Sequence, residues 1–158
     1  MSAKAAEPVD SADRTEFEDR FMELLTRMAH RYRAELEQRL RPLGCGASGM
    51  EVLSAIKLAG RPIAQNEIAA RMGILNSTLT RLIVPLERAG QIHRVPDPTN
   101  LRAKLVELTP QGAKHCDELL AIARQFRAQM LEGLELAEIE ATSAISARLF
   151  DRLYAKTC

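Results

Sequence analysis

The chain has 158 residues, of which 46% are apolar and 27% charged, with a formal net charge of +1; that is enough to bury a core in one domain without staples. Aromatics are 4% and Trp is absent, so Leu, Ile, Ala and Met must fill the core, a composition that leans helical. No window approaches 18 consecutive apolar residues, which excludes a membrane-spanning helix. The opening stretch, Met1 to Pro8, lacks the apolar run of a signal peptide. Three scattered cysteines, Cys45, Cys116 and Cys158, imply no disulfide framework, and a cytoplasmic location is expected.

Residues 1–12 show little periodicity and are expected to form a mobile tail. Phe17, Phe21, Leu24, Leu25, Met28, Tyr32, Leu36 and Leu40 then recur at steps of three and four, which predicts a long helix capped by Ser11 or Asp13 and ended by Pro42-Leu43-Gly44. A second helix is predicted from Ser48 to Ala59, stopped by Gly60 and Pro62. A third covers Gln65 to Met72 and is closed by Gly73. A fourth covers Asn76 to Ala89, with Leu79, Leu82, Ile83 and Leu86 inward and Pro85 kinking its C-terminal half. The period then shortens. Gln91–Val95 and Arg102–Leu108 read as two strands around the turn-forming Pro96-Asp97-Pro98-Thr99-Asn100, a hairpin with a basic tip. Thr109 and Pro110 open the next helix as N-cap and first helical residue. That helix carries Leu119 to Leu134, and a last one starts near Ala137.

Two short helices joined at Gly73 and followed by a two-stranded ribbon make a winged helix-turn-helix. The fold class is therefore mainly α (α+β). The expected divisions are a tail over 1–12, a dimerisation helix over 13–47, the winged helix-turn-helix over 48–109, and C-terminal helices over 110–158 that complete the dimerisation region. The long first helix and the last two are too apolar to stand alone, and need each other or a second copy. Phe17, Phe21, Leu24, Met28, Phe126, Met130, Leu149 and Leu153 are the expected interface of a homodimer.

Charge is uneven along the chain. Residues 61–104 hold seven Lys/Arg and three acids, a balance of +4, between segments of −1 and −2. A basic middle of this kind is the footprint of a nucleic-acid surface.

The chain resembles the MarR family of transcriptional regulators. The residues that carry the likeness are Arg61 to Gly73, Ser77 to Leu82, Leu86-Glu87-Arg88-Ala89-Gly90, and Arg94 through Asp97 to Arg102–Gly112. They match the family's helix-turn-helix, the LE-x-x-G ending of the recognition helix, the basic wing and the LT-x-x-G motif that follows it. The resemblance implies a homodimer on a pseudo-palindromic operator in double-stranded DNA. It also implies repression relieved by a small-molecule effector or, in some members, by cysteine oxidation. Two departures stand out. Asn100-Leu101-Arg102 replaces the family's Asp-x-Arg at the wing tip, and Leu75 occupies a common capping position, leaving Asn76 as the nearest cap. The departures at Asn100 and Leu101, with Pro85 inside the recognition helix, motivate the alternative of a winged-helix module that binds proteins or ligands without DNA.

The expected DNA-binding residues are Asn76, Ser77, Thr78, Thr80 and Arg81 at the start of the recognition helix, Gln65 and Asn66 at the start of the helix before it, and Arg94, Arg102 and Lys104 in the wing. Arg81 has Glu87, on the same helix, as its alternative partner. His30 and Tyr32 are candidates to face an effector pocket, and Cys45, between two glycines, is the candidate redox thiol. His30, His93 and His115 have no paired ligand spacing, and there is no C-x-x-C, phosphate loop or nucleophile elbow. No metal, cofactor or catalytic residue is expected.

Overall fold

A computed structural model describes the backbone of residues 11–154, without the side chains of residues 11, 12, 101–103 and 154. The expected tail thus falls outside the described residues over 1–10, as does Cys158. The chain divides into two compact units that meet between Ile122 and Ala123.

In the first unit, α1 (Ser11–Leu40) changes character along its length. Phe17 and Leu24 are 67% and 65% exposed, whereas Leu36 and Leu40 are buried. A 3-10 turn, Arg41–Leu43, ends at Gly44 and leads into α2 (Ala47–Ala59). α1 fastens the start of α2 with Glu37, whose Oε2 accepts the Ala47 amide at 2.7 Å. Gly46 makes room for this: a Cβ there would lie 2.5 Å from Glu37 Oε1. The carboxylate also opposes the positive end of the α2 dipole. Arg33 adds a second tie, with Nη1 donating to Glu51 Oε1 at 2.9 Å and Nη2 to Ser48 Oγ at 2.7 Å.

A two-residue strand that periodicity did not predict, β1 (Ile63–Ala64), precedes α3 (Gln65–Met72). Gly73, left-handed at φ 65°, closes α3, and the Ile74 amide reaches back to the Ala69 carbonyl at 3.0 Å. The chain then enters α4 (Asn76–Arg88). Leu79 and Ile83 are fully buried and Leu86 nearly so, while Leu82 is half-buried. α4 continues as helix through Pro85 to Arg88. Pro85 is exposed, so water can serve the carbonyl left without a helical donor.

Strands β2 (Ile92–Asp97) and β3 (Asn100–Leu108) complete a sheet of order β1-β3-β2, antiparallel throughout. β2 runs two residues further than expected, which narrows the turn to Pro98-Thr99. The register slips between Pro96, opposite Lys104, and Asp97, opposite Asn100. The bulge follows the residue that has no N–H to give the ladder. Asp97 Oδ1 accepts the Thr99 amide and hydroxyl at 2.8 and 2.7 Å. These bonds hold the Asp97 carboxyl below its ordinary range.

α5 (Pro110–Met130) starts as the sequence indicates. Thr109 Oγ1 accepts the Gly112 amide at 3.0 Å and donates to the Gly90 carbonyl at 2.6 Å, while the Thr109 amide donates to the Gln91 carbonyl at 3.0 Å. Gly112 is required, since a Cβ there would collide with the Gln91 carbonyl. The core of this unit gathers Leu53, Ile63, Ile68, Leu79, Ile83, Val106 and Leu119.

In the second unit α5 stops at Met130, short of the expected Leu134. Gly133 adopts φ 81° just beyond it, a conformation that a continuing right-handed helix excludes. α6 (Leu136–Tyr154) then begins, with the Glu138 side chain accepting the Glu135 amide at 2.9 Å. Phe126 is buried within the chain. This corrects its expected place at a dimer interface, because its surface is already covered. Leu149 is half-buried, and Met130 and Leu153 are exposed.

Candidate nucleic-acid interface

The recognition helix presents two unlike sides. Leu79, Ile83 and Leu86 anchor one side in the core, and Asn76, Ser77, Thr78, Thr80 and Arg81 lie on exposed surface. Asn76 is the first helical residue and not the cap. Leu75 is the N-cap, and no side chain caps the helix. A leucine side chain has no acceptor to offer, so among the described residues the first amides of α4 have no side-chain cap, and helix starts of this kind attract anions. Thr80 Oγ1 donates to the Asn76 carbonyl at 2.9 Å, which uses its proton within the helix and leaves its lone pairs free to accept. Arg81 is exposed and makes no ion pair among the described residues.

α3 likewise has an apolar N-cap, Ala64, and no side-chain cap bond. Gln65 is half-buried and Asn66 exposed. Asn66 Oδ1 accepts the Glu67 amide at 2.9 Å, so that amide is satisfied locally. Glu67 bridges Arg61 at 2.9 Å and Arg71 at 3.0 Å. The Arg61 hydrogen bond comes first among the causes that lower the Glu67 pKa.

In the wing, Lys104 is exposed, and the side chain of Arg102 lies outside the described residues. Arg94 is paired: its Nε lies 3.2 Å from both carboxylate oxygens of Glu87, at the C-terminal end of α4. The sequence reading weighed Glu87 against Arg81 and missed this partner. Arg81 and Glu87 are six positions apart, which at about 100° per residue puts them on different sides of the helix. The usable signal was the short Gly90 turn, which brings the following strand back alongside the helix end.

Two expectations concern other sites. His30 is exposed and borders a shallow surface hollow made by α1 itself, with Leu24, Arg27, Met28, Arg31 and Ala34. Tyr32 is half-buried. A separate groove between α1, α2 and α3, about 580 Å³, is lined by Arg33, Met50, Glu51, Ser54, Ala55, Leu58, Arg71 and Met72. Cys45 is not the accessible thiol its glycine neighbours suggested. It is buried, and desolvation, followed by the nearby Glu37 carboxylate, pushes its pKa up. Both effects disfavour the reactive thiolate. Among the described residues no cluster of His, Cys, Asp or Glu is disposed to hold a metal.

The MarR family model matches residues 49–104, which span α2 to the wing. The transcriptional regulator PA3341 is 30% identical, over 85% of this chain and 98% of that one, with a TM-score of 0.77. The Staphylococcus aureus MepR–DNA complex superposes with a TM-score of 0.76 at 21% identity, over 82% and 94% of the two chains. A mutant Escherichia coli MarR complexed with operator DNA gives 0.74 at 23% identity, over 80% and 91%. The chain belongs to the MarR family, and its fold is the winged helix-turn-helix read from the sequence.

Proposed function

We propose that this MarR-family chain is a transcriptional regulator that binds double-stranded DNA sequence-specifically. It acts as a homodimeric repressor on a pseudo-palindromic operator and is released by a small-molecule effector. The observation that carries the reading is the exposed, uncapped start of α4, Asn76 to Arg81, standing on a fully buried anchor. Such a helix start enters a major groove with its polar side chains against base edges. The wing cations Arg94 and Lys104, and Arg102 by its place in the sequence, supply phosphate contacts. MepR of S. aureus and MarR of E. coli hold DNA on the same fold.

Dimerisation is supported by the exposed Phe17, Phe21, Leu24 and Met28 on α1 and by Met130 and Leu153 in the second unit, an apolar load that favours burial against another surface. An effector is supported by the groove between α1, α2 and α3, where Met50, Ala55, Leu58 and Met72 lie beside Arg33 and Arg71. No described helix is long and apolar enough to cross a membrane. The proposed regulator is cytoplasmic and has no catalytic step.

The test is a salt series of binding to the DNA upstream of its own coding sequence, against a scrambled duplex of equal length. The expected result is tight, salt-sensitive binding that prefers the native sequence, with half-sites about 34–36 Å apart. Equal weak binding to both duplexes overturns the reading.

A further inference from the structure

We infer that Glu87 is a positioning residue for DNA binding: its carboxylate grips Arg94 from the Nε side, so that the two terminal nitrogens of the guanidinium are presented to a backbone phosphate between α4 and the wing. The inference rests on the DNA-binding reading and adds a residue to it.

The register of the ribbon places the pair. Arg94 is the cross-strand partner of the fully buried Val106 and lies two positions from the buried Ile92, so all three share one face of the ribbon. Pro96 follows on that face, opposite Lys104. The face is thus core at its base and basic toward its tip, and Arg94 stands where the core ends. The other face carries a different contact, His93 Nε2 with Glu107 Oε1 at 2.8 Å.

A guanidinium has two usable edges. Arg94 commits only Nε to Glu87, at 3.2 Å from each oxygen, and no hydrogen bond among the described residues engages Nη1 or Nη2. The free end is the fork that binds a phosphate with two parallel hydrogen bonds. Both partners are about one-third exposed, 35% for Arg94 and 37% for Glu87, so the pair adds little to folding. A carboxylate beside the DNA path also repels phosphate. Holding an arginine in its binding rotamer offsets that repulsion, because the side chain is ordered before DNA arrives.

The experiment measures fluorescence anisotropy of the upstream duplex and its scrambled counterpart across a salt series, with thermal melts as the folding control. The proteins are the wild type, Glu87→Ala, Glu87→Gln, Arg94→Ala, Arg94→Lys and the Glu87→Ala/Arg94→Ala double variant. Glu87→Ala is expected to weaken binding about 3- to 10-fold and to lower the salt slope by about one. Glu87→Gln restores most of the loss, since its amide oxygen still accepts from Nε. Arg94→Lys binds as poorly as Arg94→Ala, because an ammonium has no second edge. With Arg94→Ala already present, Glu87→Ala weakens binding no further. Tighter binding by Glu87→Ala in the wild-type background, or an equal loss in both backgrounds, overturns the inference. A wild-type protein that binds neither duplex in a salt-dependent way overturns the DNA reading itself, and the inference with it, before any variant is made.

Discussion

Helices α1 and α4 carry apolar side chains at the same steps of three and four, yet the two stripes end in different places. On α4, Leu79, Ile83 and Leu86 are buried by α2, α3 and the sheet, elements within forty residues of them. On α1, among the described side chains, only Leu36 and Leu40 near its end are buried, and Phe17, Phe21, Leu24 and Met28 are open. Periodicity therefore fixes which side of a helix is apolar, but not whose surface covers it. A stripe that its own unit covers serves the fold. One left open on a 30-residue helix is the surface that the proposed second copy would cover.

The contrast can be broken most forcefully in the core. Leu79→Ala should cost about 2–5 kcal/mol of stability in urea unfolding, and a loss under about 1 kcal/mol would mean that the α4 stripe is not the anchor. The matching change on α1, Leu24→Glu, should leave helicity by circular dichroism unchanged while raising the dimer dissociation constant about 30-fold in sedimentation. An unaltered dimer would remove α1 from the interface. Thr109→Ala should cost about 1 kcal/mol, the value of an N-cap, measured by the same unfolding. The smallest effect belongs to Glu67→Gln and appears only as pH dependence. The Glu67 pKa is lowered in the folded state, so its contribution is fully present above the ordinary carboxylate range and is lost as pH falls through the depressed value. The gap in melting temperature between wild type and variant should close toward acid. A constant gap would mean that the Arg61–Glu67–Arg71 bridge is not the cause.

Much of the fold was legible because its signals are local. Gly73 marks the turn, Thr109-Pro110 the start of α5, and the spacing of Leu79, Ile83 and Leu86 the inner side of α4. β1 was not legible, since two residues have no period and Ile63 becomes a strand only by pairing with Val106. Of the candidate site, the exposed start of α4 was readable from helix phase alone. The Arg94–Glu87 pair was not, because it joins a strand to a helix through a turn. Cys45 was misjudged for a similar reason. Flanking glycines suggest openness, but its sulfur is packed so closely against Gly49 that a Cβ there would lie 2.7 Å from it.

The joint at Thr109 bears on how the wing moves. One residue pins the start of β2, the end of β3 and the first turn of α5, whereas the ribbon's far end is held by the Asp97–Thr99 turn beyond a register slip. Amide hydrogen exchange should therefore form a gradient along the ribbon: slowest at Thr109 and Gly112, where exposure requires opening the whole first unit, and fastest at the tip, where local fraying is enough. On the proposed function, a base pinned in this way lets DNA reshape the tip of the wing without disturbing α4.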